Sequence, residues 1–295
     1  MESSLPIGQR LFEVVLAKTF KRSKSALDLS ALITLFALSF SMCIQSAAQA
    51  QNECKSKVFL TLDTGGMHQA EAIATILKRH QVKATFFLAN EKTFRGDYAL
   101  DDSWRDYWRA RASEGHQFGS HTFDHVYFKV DANSTKPPAR IAGEKSSVAV
   151  HVVRPQFGQH AGKSALWSDV QICEELDRVQ ERFRRLTVRG LAALWRAPGG
   201  RAPEAVMRAA QSCGYEHVYW AKAGFLGDEL PSEKYPNEAL LRKALAEIRD
   251  GDILMAHLGI WSRKEPFAPM LDPLIAGLKA KGFCFATLAA PLLPR

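Results

Sequence analysis

The sequence predicts an α/β fold, a distorted (β/α) barrel of about seven parallel strands. Two observations carry this expectation. After residue 50, short β-prone runs alternate with amphipathic helical stretches, and no linker divides the series. The polar residues that stand out, Asp63, Arg196 and His257, each follow directly on an apolar run. In a closed barrel those strand ends are where the chemistry sits.

The elements follow in order. Val58–Leu62 is apolar and β-prone and ends at Asp63-Thr64-Gly65-Gly66. Ala70, Ile73, Ile76 and Leu77 recur at helical spacing within 69–80. Val82–Leu88 reads as a second strand, and a helix runs from about Trp104 to Glu114, stopped by Gly115. Residues 131–165 are rich in Ser, Lys, Pro and Gly and read as a long excursion with one strand at Val148–Val153. Helix returns over Asp169–Arg185, and Leu191–Trp195 is a strand ending at Arg196. Pro203–Cys213 has Pro in its first turn and Gly214 past its end, the usual asymmetry of a helix. His217–Trp220 reads as strand, Asn237–Arg249 as helix, Asp252–Ala256 as strand, Leu271–Lys281 as helix and Phe283–Leu288 as the last strand.

Composition narrows the classes of function. With 46% hydrophobic residues in 295, the chain is neither a disordered polymer nor a small disulfide knot. The net charge of +8 is compatible with an anionic neighbour. No basic block is dense enough for a nucleic-acid arm: the arginines of 177–189 are interleaved with acids, as on a solvated helix face, so no nucleic-acid partner is expected. Basic residues from Arg10 to Lys24, the uncharged stretch Leu29–Ile44 and Ala48-Gln49-Ala50 together read as a secretory signal peptide over residues 1–50. Residues 51–295 are then expected to form the mature domain, exported to the periplasm or outside the cell. Any membrane attachment would come only through the N-terminal segment if it stays uncleaved, and its uncharged, mostly apolar stretch of 16 residues is short for a span. Cys54, Cys173, Cys213 and Cys284 are too far apart for a C-x-x-C metal cluster and read either as small buried hydrophobes or as disulfides. Cys173–Cys213 and Cys54–Cys284 are the preferred pairs, the second because a closed barrel makes its first and last strands neighbours.

The strongest local signal is His121-Thr122-Phe123-Asp124-His125. Two histidines four apart can face one cation from a single helical turn, and neutral imidazole is a common ligand of zinc and similar ions. Asp63 adds a carboxylate at the end of a buried strand, where it is costly unless paired. His257 ends another strand, after Ile253-Leu254-Met255-Ala256.

With these residues in view, the chain resembles the polysaccharide deacetylases, the NodB-homology domain of carbohydrate esterase family four. The first family motif, T-F-D-D-G, is matched by Thr61-Leu62-Asp63-Thr64-Gly65, and the second, H-[S/T]-x-x-H, by His121–His125. R-x-P-x-G is met by Arg196-Ala197-Pro198-Gly199-Gly200, and the last motif by Met255-Ala256-His257. The run Lys83–Phe87 resembles the family's second strand, and the agreement covers roughly 55–290. The resemblance implies a hydrolase that removes N-acetyl groups from an N-acetylated glycan: peptidoglycan, a chitin-like polymer or poly-N-acetylglucosamine. It implies that His121 and His125 hold a divalent metal, zinc or a similar ion. It implies Asp63 as general base on the attacking water, Arg196 as the residue that orients Asp63, and His257 as general acid. Trp220, Met255 and Pro198 would line the pocket for the acetyl group.

Two departures matter. Thr64 stands where the family places a second aspartate, a metal ligand, and a hydroxyl is the poorer donor for such a dication. The fourth motif normally supplies an aspartate and a tryptophan; Trp220 can be the tryptophan, and Asp228 is the nearest substitute for the aspartate. Two other readings therefore stand beside the deacetylase: a metal-independent amidase or ureide hydrolase of the same fold, and a non-catalytic glycan-binding protein.

Overall fold

The computed structural model describes residues 54, 56–129 and 150–288. The signal-peptide reading of 1–50 and most of the 131–165 excursion lie outside the described residues.

Strand β1 (Ser56–Asp63) is the axis of the fold. Its alternate residues Val58, Leu60 and Leu62 are almost fully buried under the surrounding helices. Each such side chain stabilises the fold by roughly 1.5–3 kcal/mol. The opposite face carries Thr61 and Asp63, since successive side chains alternate. Helix α1 (Ala70–Arg79) buries Ala70, Ile73, Ile76 and Leu77 on one stripe. Strand β2 (Thr85–Leu88), helix α2 (Arg105–Ser113) and strand β3 (Gln117–Ser120) follow. The remaining order is β4 (Tyr127–Phe128), β5 (Val150–Arg154), β6 (Ala165–Ser168), α3 (Asp169–Thr187), β7 (Leu194–Trp195), α4 (Glu204–Ser212), β8 (Glu216–His217), α5 (Asn237–Glu247), β9 (Ile253–His257), α6 (Leu271–Ala280) and β10 (Phe283–Phe285).

Seven strands form one sheet in the order β10-β1-β2-β3-β7-β8, with β9 also paired to β1. Every pairing in it is parallel. After β8, the expected strand at His217–Trp220 stops early, and the chain crosses to β9 without a regular strand. The Ala221 N–H donates to the Ile253 carbonyl at 3.0 Å, and the Met255 N–H to that of Gly224 at 2.9 Å. A Cβ on Gly224 would run into the Ile253 carbonyl oxygen, so only glycine permits this close approach. The excursion is more structured than its composition suggests: its strand β5 joins β4, just before it, and β6, at its end, in a separate antiparallel sheet. Both expected cysteine pairs are disulfides, Cys54–Cys284 tying the start of the domain to β10 and Cys173–Cys213 tying α3 to the end of α4.

Candidate active site

The parallel register of β1 and β9 sets Asp63 directly beside His257, and Thr61 beside Met255. Met255 is buried two residues before His257 on the same face of β9. Arg196, at the end of β7, is fully buried beneath this pair. One of its Nη1 hydrogen bonds goes to Asp63 Oδ1 at 2.8 Å and another to Thr61 Oγ1 at 2.8 Å, while Nε donates to the Val218 carbonyl at 3.2 Å. The guanidinium also lies over the Phe87 ring at 4.3 Å and the Trp220 ring at 5.4 Å. Burial pushes the Asp63 carboxyl up, but Arg196, His121 and His257 outweigh it and hold it below the usual carboxylate range. Asp63 is therefore an anion at neutral pH. Its Oδ1 is fixed on arginine, and Oδ2 faces His121 Nε2 at 3.7 Å.

His257 is held in the opposite state. Asp228 accepts from its backbone N–H at 2.6 Å and from Nδ1 at 3.1 Å. Burial would lower the imidazole, but Asp228, then Asp63 and Glu229, push it up to about 10. With Nδ1 on Asp228, a protonated His257 keeps its Nε2–H free for a reacting group. Asp228, the nearest acid the sequence offers for the missing aspartate, thus reaches His257 from the loop that precedes α5.

The two histidines of the second motif sit on a turn between β3 and β4. Thr122 and His125 both have positive φ, 61° and 49°, in a region that non-glycine residues rarely occupy. The turn is held from outside. The Asp124 N–H donates to Glu175 at 2.5 Å, and Arg178 bridges Asp124 and Glu175 at 2.8 Å each. Burial and the Asp124 charge push Glu175 up to about 7, with Arg178 opposing. The rings of His121 and His125 are 5.1 Å apart. His121 Nδ1 lies 2.9 Å from the Arg196 carbonyl, which can only accept, so that nitrogen carries the hydrogen and Nε2 keeps its lone pair. Burial lowers this imidazole to about 4 despite Asp63, so it is neutral at physiological pH.

Thr64 is buried, and its hydroxyl donates to Glu91 Oε1 at 2.6 Å; the Gly65 N–H donates to the same oxygen at 2.7 Å. Gly65 has φ +74°, and a Cβ there would collide with the Gly259 carbonyl oxygen, which explains the glycine of this motif. Burial pushes the Glu91 carboxyl up, but His125, the Thr64 hydroxyl, His121 and the Gly65 N–H bring it below the ordinary value.

Residues 50–218 match the family described as polysaccharide deacetylase. The chain belongs to that family. It is 22% identical over 217 residues to a Bacillus cereus peptidoglycan-N-acetylglucosamine deacetylase, spanning 74% of this chain and 78% of the relative. It is 23% identical over 255 residues to an Azorhizobium caulinodans chitooligosaccharide deacetylase, spanning 83% of this chain and 97% of the relative. Among solved structures, a peptidoglycan N-acetylglucosamine deacetylase superposes with TM-score 0.55 at 22% identity, covering 79% of this chain and 86% of the other. A Bacillus anthracis family-four pseudoenzyme superposes with TM-score 0.54 at 19% identity, covering 79% of this chain and 64% of the other.

Within the family frame, the structure brings Asp63, Arg196, His257 and His121 into one cluster, with His125 on the adjoining turn. Trp220 is half-buried, its ring against Gly200. Pro198 is buried at the start of the turn that carries Gly199 and Gly200. Glu91 and the Glu175–Arg178 brace escaped sequence reading. Glu91 carried one usable signal, an acid three residues beyond the mostly apolar strand β2.

The donor set fits a borderline dication: a neutral His121 with Nε2 available, a neighbouring imidazole, and the carboxylates Asp63 and Glu91. Among the described residues, no three His, Cys, Asp or Glu side chains already converge as a metal cluster.

Proposed function

We propose that this chain is an exported, divalent-metal-dependent hydrolase that removes N-acetyl groups from an N-acetylglucosamine-containing glycan. The names of the relatives point to that substrate class, and the two disulfides agree with an oxidising compartment. The observation that carries the reading is the juxtaposition of Asp63 and His257 on adjacent strands. Separate partners hold one as an anion and the other as a cation.

His121 and His125 hold the metal, which when bound supplies Lewis-acid polarisation of the acetamide oxygen. Asp63 takes a proton from the attacking water at Oδ2, because Arg196 keeps Oδ1 occupied and the carboxylate oriented. Water oxygen bonds to the acyl carbon, and the C–N bond then breaks. His257 gives its Nε2 proton to the departing amine nitrogen, and acetate is released. Arg196 touches Asp63 and not the reacting atoms, so it is a positioning residue. Trp220 and Met255 wall the space for the acetyl methyl, and the exposed Trp261, which packs against Gly66 and His68, offers a flat face for a sugar ring at the rim.

Acetate release from peptidoglycan, chitin oligomers and poly-N-acetylglucosamine, with and without chelator, tests this reading. Release that chelator abolishes is expected. Chelator-insensitive turnover of a small amide would favour the metal-independent amidase, which Thr64 motivates; no turnover of any substrate would leave a glycan-binding protein.

A further inference from the structure

The chain has threonine where its first motif places a second acid, and the Glu91 carboxylate lies against that threonine. Glu91 lies three residues beyond β2, in a loop held on both sides. The Ala89 N–H donates to Thr64 Oγ1 at 3.1 Å, and the Asn90 N–H to the Phe123 carbonyl at 2.8 Å. This fixes residues 89–91 between the Thr64 turn and the His121–His125 turn. From there the side chain reaches Thr64 Oγ1 and the Gly65 N–H with a single oxygen, Oε1. Its other oxygen, Oε2, makes no hydrogen bond among the described residues.

We propose that Glu91 supplies the third protein ligand of the metal, carried from the β2 loop in place of an aspartate at position 64. The inference rests on the metal-dependent reading of the site. An acid at 64 would project from the end of β1, whereas a threonine there turns its hydroxyl into a donor that clamps Glu91. Thr64 is thus the support of the ligand and not a weak ligand itself. The charge that the cation requires is conserved, and one residue has been exchanged for two. The competing explanation is that Glu91 serves only to cap the Gly65 N–H. Glu91→Gln separates the two, because the amide oxygen can still accept both hydrogen bonds but carries no charge.

The experiment is titration of the purified, chelator-stripped protein with zinc and with cobalt, following heat and the cobalt absorption bands. The proteins are the parent, Glu91→Gln, and Glu91→Gln combined with Thr64→Asp. Thermal unfolding of each metal-free protein checks the fold. The expected result is a loss of at least about tenfold in affinity for Glu91→Gln, the lower end of what losing a supporting metal contact costs. Thr64→Asp in the same background should recover most of it, and the cobalt bands should change in the first variant and return in the second. A folded Glu91→Gln protein with parental affinity and spectrum would overturn the proposal, as would a parent that binds neither metal. Acetate release is scored separately. Metal binding that follows the pattern while no glycan loses acetate would sink the deacetylase reading and leave Glu91 as a ligand. Glycan turnover by a protein with unchanged metal affinity would do the reverse.

Discussion

Replacing Asp228 by Asn tests the division of labour in the site through one charge. Asp228 is the strongest of the three carboxylates that raise His257, ahead of Asp63 and Glu229. Asparagine keeps the shape and can still accept the 2.6 Å bond from the His257 backbone N–H. It removes the negative charge beside Nδ1. The imidazole then falls from about 10 toward its ordinary value of 6.5, drawn down by burial and held up by the two remaining acids. Each unit of that fall is worth about 1.4 kcal/mol of lost preference for the protonated form. If His257 is the acid, the parent enzyme keeps it protonated through pH 8 and loses activity only as pH approaches 10. In Asp228→Asn the alkaline limb should move down by at least about one unit, each unit costing about tenfold in the protonated fraction at a pH above it. The assay is acetate release from an acetylated chito-oligomer between about pH 5 and 11 at saturating metal. The acid limb, set by Asp63, should stay in place. An unmoved alkaline limb in a folded variant would refute the assignment of His257 as the acid. The same charges govern stability. His257 is raised in the folded state, so its contribution is full below 6.5 and is lost as pH rises through about 10. Asp228→Asn should therefore narrow the stability difference between pH 6 and pH 10, read from thermal midpoints.

Other outcomes follow from the same geometry. Asp63→Asn should leave the fold intact and lower turnover by about 10²–10⁴-fold, the usual worth of a positioned base; near-parental acetate release would exclude Asp63 from that role. Breaking Cys173–Cys213 by Cys173→Ser with Cys213→Ser opens a loop of sequence separation 40. Chain entropy makes that cost about 4 kcal/mol, and an unchanged urea midpoint would contradict it. Val188 closes helix α3 at φ 59° with its side chain 82% exposed. Val188→Gly should raise stability by roughly 0.5–1 kcal/mol, because a β-branched residue is strained in that conformation and loses nothing by removal; a lowered thermal midpoint would count against it.

The sequence by itself determined the order of strands and helices, because periodicity is a local property. Short continuous apolar runs mark β1 and β9, and a 3.6-residue stripe marks α1 and α3. It also placed Asp63, Arg196 and His257 at strand ends, since a charged residue directly after an apolar run announces where burial stops. It could not decide which strands lie side by side. Lateral order is set by packing over long separations, and only the parallel register of β1 and β9 brings Asp63 to His257. The same holds for the early end of β8 and for the small sheet within the excursion. A strand of two residues, as β4 is, leaves no period to read. Asp228 could be named from sequence as the nearest acid, but its bond to His257 spans 29 positions and depends on how the β8–α5 loop folds back. Glu91 shows the limit most clearly. Read along the chain, Thr64 is a missing charge; in three dimensions the charge is restored from 27 positions away, through a hydrogen bond that exists only once β1 and β2 lie in register. Ionisation states belong to the tertiary structure for the same reason: neighbours a few ångströms away hold Asp63 low and His257 high against the burial that opposes both shifts, and those distances are products of the fold.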